Sequence, residues 1–167
     1  MPFTTILSLL STSAIVAGGI FAGVQLQQLR KQRLRESALQ LLHSFQTPEF
    51  LNAGNIVFGL PEGLSKKELE LRLGDNMTCL LVMFGTFESL GILIFRREME
   101  IQLVEDFFSG IIILSGRKLK NYLVEVRESG NRQTYYEWFQ WLCEQVEKRE
   151  LKTPPIPAYI AYRDWKE

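Results

Sequence analysis

The sequence is poor in the side chains that most often carry chemistry. Its 167 residues include one histidine and two cysteines. His43 stands alone, so no histidine pair can bind a metal ion, and no E-x-x-H spacing exists. It reads as a packing or partly exposed residue of its helix. Cys79 and Cys143 have neither C-x-x-C spacing nor a disulfide framework. Both fall in apolar helical patterns, as buried reduced thiols do. Neither sign of charge is in excess, since 19 basic and 19 acidic residues cancel. A nucleic-acid-binding domain instead concentrates a basic surplus on one face, so nucleic acid is excluded as a partner. The P-loop, G-x-G-x-x-G and G-x-S-x-G motifs are also missing. No catalytic, cofactor-binding or metal-ligating residue can be nominated, and none is expected.

Charge is missing locally as well. Every residue from Pro2 to Leu29 is uncharged, and all acidic and basic side chains lie from Arg30 onward. As a helix, Phe3 to Val24 would rise about 33 Å, enough to cross a hydrocarbon core of about 30 Å. Its serines and threonines can bond back to the helix. A cleaved signal peptide competes, with small residues near Ala22 as a cleavage site. Against it, no Lys or Arg precedes the apolar run, which is longer than a signal core. Residues 1–29 are therefore expected to be a transmembrane anchor in the lipid bilayer. Arg30, Lys31, Arg33 and Arg35 follow it, and the positive-inside rule puts the N-terminus outside and the next domain in the cytoplasm, at the inner (plasma) membrane. Gly19 and Gly23 form G-x-x-x-G, and Ala14, Gly18 and Ala22 add a second small stripe. Such faces let helices approach closely in lipid, which points to a homo-oligomer through the span.

Beyond the anchor, helical spacing dominates. Leu34, Ala38, Leu41, Leu42 and Phe45 form one stripe that can continue the membrane helix. Thr47-Pro48-Glu49 is a helix start, with a capping hydroxyl, a proline at the first position and an acid in the first turn. That helix ends at Gly59-Leu60-Pro61, and the capping box Ser65-Lys66-Lys67-Glu68 opens a long one running to about Met99. Met77 to Phe95 is nearly long enough to be a second span. Glu88 inside it, and Arg96 and Arg97 after it, favour a central core helix. Further stripes run from Ile101 to Leu114, where Ser115-Gly116 is expected to break the helix, then from Leu119 to Val126. A last one runs from about Gln133 to Arg149, with Trp141 off its apolar face as an exposed or capping aromatic. Thr153-Pro154-Pro155-Ile156-Pro157 predicts an extended tail leading to Tyr159, Tyr162 and Trp165.

The reading is thus all-α: a transmembrane helix (1–29) continuing into a compact cytoplasmic bundle of about five helices (30–150), then an extended Pro/aromatic tail (151–167). Glu88 is the candidate buried polar residue. A carboxylate in an apolar helix must be protonated, paired or at a polar edge, and Arg127 and Arg117 are the available cations.

Four short stretches, Thr47-Pro-Glu-Phe50, Gly59-Leu-Pro-Glu62, Phe87-Glu-Ser-Leu-Gly91 and Phe139-Gln-Trp-Leu142, together with the span and its basic flank, carry a resemblance. The chain resembles an uncharacterised bacterial family of single-span membrane proteins with a cytoplasmic helical domain of unknown function. The resemblance implies an architecture and no activity, so no site residues transfer from it. The function expected is a membrane-anchored, non-enzymatic interaction or scaffold module with an unknown protein partner. The alternative is a small membrane enzyme or transport accessory subunit with its polar site around Glu88.

Replacing Gly19 and Gly23 together with Ile is expected to weaken oligomers by blocking close backbone approach. In-membrane crosslinking checks this, and an unchanged dimer band would return the glycines to ordinary membrane-helix composition.

Overall fold

The computed structural model describes residues 16–29, 31–33, 36, 39, 43, 45 and 47–166. The described residues contain no strand. The chain divides into two units, Met1–Leu42 and His43–Glu167. In the first, residues 16–29 form helix α1, exposed at every position. Most of the expected span from Phe3 lies outside the described residues.

In the second unit seven helices follow one another: α2 (Pro48–Gly59), α3 (Lys66–Leu73), α4 (Met77–Phe95), α5 (Ile101–Lys118), α6 (Lys120–Ser129), α7 (Glu137–Lys152) and the short α8 (Ala158–Ala161). Among the described residues this is more than the five expected, because the long helix is split into α3 and α4 and the tail contributes α8. The starts of α2 and α3 are as the sequence predicts. Thr47 Oγ1 accepts from Phe50 N–H at 3.2 Å, with Pro48 in the first turn. Ser65 and Glu68 cap one another reciprocally, and the hydrogen bonds from Ser65 hold the Glu68 carboxyl below its usual range.

Several boundaries differ from expectation. The long helix is interrupted at Gly74, whose positive φ of 49° leads into a 3-10 turn, Gly74–Asn76. It ends at Phe95 rather than near Met99, because Arg97 N–H bonds Ile94 C=O and Glu98 N–H bonds Leu93 C=O, a Schellman arrangement that closes the helix. Ser115-Gly116 breaks nothing. Ser115 is buried with its hydroxyl 3.8 Å from Met83 Sδ, and a Cβ on Gly116 would lie 2.8 Å from Cys143 Sγ, so both small residues serve helix packing. At the other end, α7 starts at Glu137 and runs to Lys152, and the tail is not wholly extended, since α8 forms after Pro157.

α4 is the core helix. It packs on α7 and α2, while α7 also packs on α5. Phe84, Phe87 and Phe139 are fully buried. The Phe87 and Phe139 rings stack at 5.5 Å, and Phe84 stacks on Tyr122 at 5.6 Å. Phe45 joins from the chain before α2, 4.4 Å from Phe50 and stacked on Phe108. α7 reaches α4 because Gly91 has no side chain: a Cβ there would meet the Trp138 carbonyl oxygen and stand 2.9 Å from its carbonyl carbon. Trp141, off the apolar stripe of α7, rests half-buried beside Trp138 and Phe95 at 6.0 Å from each.

Gly91→Ala is therefore expected to destabilise the fold by about 2 kcal/mol, because the obstacle is backbone and cannot rotate away. Gly85→Ala, whose Cβ would meet nothing, is expected to be neutral or to stabilise by about 0.5 kcal/mol. Urea unfolding followed by helical circular dichroism separates the two.

Candidate functional site

Phe84, Glu88, Gly91 and Phe95 recur at i, i+4, i+7 and i+11, the side of α4 that meets α7. This spacing aims the Glu88 carboxylate at the start of α7. Its Oε2 accepts from Phe139 N–H at 2.7 Å, and the residue is half-buried. The position preceding α7 is Tyr136, in left-handed backbone with φ 53° and no side-chain capping bond of its own. Glu88 thus does from another helix what a local N-cap would do, placing negative charge where the peptide dipoles of α7 favour it.

Arg127 is not the partner of Glu88. Its Nε donates to Tyr135 C=O at 2.9 Å and its Nη2 to Tyr136 C=O at 3.2 Å, while Nη1 bonds Gln140 Oε1. Arg117 pairs with Glu62 at 3.0 Å on the surface. Glu88 and Arg127 nevertheless converge on one turn, the carboxylate taking its N–H and the guanidinium its carbonyls. The direct Glu88–Arg127 pairing expected from sequence is not formed; each side chain bonds backbone of the segment 135–139 instead. Tyr136, held there, packs its ring 4.8 Å from Phe84. Burial raises its hydroxyl pKa, and the charge of Glu88 adds to the effect. Burial also pushes Tyr122 up to about 12.

A cleft of about 370 Å³ lies among α5, α6 and α7 and shares Arg127 and Gln140 with that turn. Leu123 and Cys143 are its buried floor. Arg117, Lys120 and Arg127 line the α5–α6 side, and Gln140, Glu144 and Glu147 line α7. Those spacings, three, seven and ten residues on one wall and four and seven on the other, are visible in the sequence but look like ordinary solvated helix faces. The Cys143 thiol donates to Ile112 C=O at 3.3 Å. Burial pushes its pKa well up, so it stays protonated and is a poor nucleophile. Cys79 is free and half-buried. His43 is exposed. Among the described residues no three His, Cys, Asp or Glu side chains gather in a way that could hold a metal ion. In α1, Gly18, Gly19 and Gly23 have open space around them and Ala22 is exposed, while Ala14 lies outside the described residues.

A family model described as "Domain of unknown function (DUF4760)" matches residues 12–146. The chain belongs to the DUF4760 family. The DUF4760 match takes in α1 to α6 and most of α7, and with them Glu88, Arg127 and every cleft residue except Glu147. No curated protein and no solved structure matches the chain.

Glu88→Ala is expected to cost about 1–2 kcal/mol, the loss of a charged helix cap. Glu88→Gln, which keeps an acceptor and loses the charge, is expected to cost about half of that. Denaturant midpoints in the order wild type, Gln, Ala check the assignment, and equal midpoints would show that the carboxylate caps nothing.

Proposed function

We propose that this DUF4760 chain is a single-pass membrane protein, anchored by its N-terminal helix at the inner (plasma) membrane, whose helical domain is a non-enzymatic interaction module on the cytoplasmic side. The observation that carries the reading is α1. Between residues 16 and 29 it is a helix without a charge, and Val16, Ile20, Phe21, Val24, Leu26 and Leu29 are all exposed. Exposed apolar side chains along an uncharged helix call for an apolar medium, and a bilayer supplies it. The basic residues that follow, Lys31 and Arg33 among them, orient the domain inward.

Interaction rather than catalysis fits the rest. The one intrahelical carboxylate in the apolar stretch is occupied in capping α7, and the cleft is not lined by it. That weakens the alternative of an enzyme or transport accessory subunit built around Glu88. Past α7 the tail presents Ile156, Tyr159, Tyr162 and Trp165 to solvent, each at least two-thirds exposed. Aromatic anchors of this kind dominate binding energy at protein interfaces. A protein partner taken up by the tail, and a homo-oligomer formed through Gly19, Gly23 and their neighbours, are the contacts proposed.

Two measurements test the reading. The full chain is expected to stay with membranes through alkaline carbonate extraction, and a single cysteine added after Glu167 to resist an impermeant thiol reagent in intact cells. Release by carbonate removes the anchor from the proposal, and labelling from outside reverses its orientation.

A further inference from the structure

With the shorter α3 and the 3-10 turn before it, α4 makes up a stretch, Lys66–Phe95, long and apolar enough to cross a membrane, yet only 39% of its most apolar part is buried. Its inner sides are occupied by α2 and α7, and Glu88 is bonded to α7, so it cannot pass through a bilayer without taking its neighbours along. The open side is the unusual one. Thr78, Leu81, Gly85, Ser89 and Ile92 recur at three- and four-residue spacing, the first four exposed (Leu81 at 43%) and the last intermediate. This stripe has no charge along about 20 Å of helix. The outer face of a water-facing helix normally carries charged residues.

The Ser89 hydroxyl on this face and the Thr86 hydroxyl beside it are turned back to the helix. Ser89 Oγ donates to Gly85 C=O and Thr86 Oγ1 to Val82 C=O, both at 2.8 Å. These bonds satisfy the hydroxyl donors within the helix, as a lipid surrounding requires. At its end the stripe meets an aromatic and cationic collar. Phe95 is 59% exposed and sits 4.8 Å from Trp138, with Trp141 completing the group. Arg96 and Arg97 follow it, both exposed. Arg97 occupies the left-handed position of the Schellman turn, φ 59°, where glycine is the unstrained choice.

We propose that the open face of α4 lies on an anionic lipid surface, with Leu81, Gly85, Ser89 and Ile92 against the acyl boundary. Phe95, Trp138 and Trp141 sit at headgroup depth, and Arg96 and Arg97 bind lipid phosphates. Tryptophan and arginine favour that depth, the ring for its amphipathic edge and the guanidinium for its fit to phosphate. Arg96 and Arg97 stand nearest the end of the stripe, and Glu98 and Glu100, both exposed, follow them. The proposal rests on the membrane reading above only for the tether, which would hold the face near lipid.

The test uses the full chain carrying Trp165→Phe, so that Trp138 and Trp141 are its only tryptophans, in phosphatidylcholine–phosphatidylglycerol vesicles containing lipid brominated near the top of the acyl chain. Quenching of tryptophan emission is expected, with loss of most of it in Leu81→Glu and in the double variant Arg96→Gln/Arg97→Gln, while their melting temperatures in detergent stay close to the parent's. Arg97→Gly is expected to melt higher and to quench less, a pair of changes that a merely structural arginine would not produce. Vesicle-bound, carbonate-resistant chain without quenching overturns the face and leaves the anchor standing. Quenching in chain that carbonate releases supports the face and removes the anchor. Failure to bind vesicles at all overturns the face. So does disulfide crosslinking of Ser89→Cys between copies without quenching, which would assign the stripe to a second copy of the chain.

Discussion

The bundle depends on how closely α7 can approach α4. Gly91 lets the Trp138 backbone come within van der Waals reach, and one turn earlier Glu88 receives the Phe139 N–H. The two features reinforce each other. Without the close approach the carboxylate would not reach the start of α7, and without the carboxylate that start would be an uncapped helix end pressed against an apolar neighbour, a costly arrangement. The stacked Phe87 and Phe139 rings lie beneath this junction and exclude water from it. A second glycine repeats the device on the other flank, since Gly116 admits the Cys143 side chain and so brings α5 against α7.

Much of the remaining polar chemistry solves the same problem at other helix ends. Glu125 on α6 accepts from Lys66 N–H at the start of α3, supplementing the local capping box. Lys118 on α5 donates to the Val57 and Phe58 carbonyls at the end of α2. Arg127 holds the turn before α7. In each case a charged side chain from another helix meets backbone groups of the complementary sign, so charge fixes register while the apolar stripes supply burial. This gives these residues a structural task, which is why the functional reading turns to the surfaces they leave open.

Local signals were legible wherever the chemistry is local. Thr47 and Pro48 start α2, Ser65 and Glu68 start α3, and the stripe of Phe139, Leu142 and Val146 faces the core, all as spacing implies. Ser115-Gly116 misled because the residues that end helices are also the residues that let helices touch, and sequence alone does not say whether a neighbour is present. Gln133 to Tyr136 looked helical by pattern, yet Arg127 captures the Tyr135 and Tyr136 carbonyls and Tyr136 adopts left-handed backbone. The candidate site was half legible. Glu88 and Arg127 stood out as the charges needing explanation, but the groups that answer them are peptide units, which every residue carries and which no sequence pattern marks.

By itself, the sequence determined the helical class, most of the helix starts, and an uncharged N-terminal stretch set apart from a charge-balanced remainder. Those follow from periodicity, capping chemistry and composition, each a property of a few neighbouring residues. Tertiary structure decided which helix end each charge would face, which glycines are contacts rather than breaks, and which side of α4 would stay uncovered. All three depend on distances between residues far apart in the chain, and such distances exist only after the helices have packed.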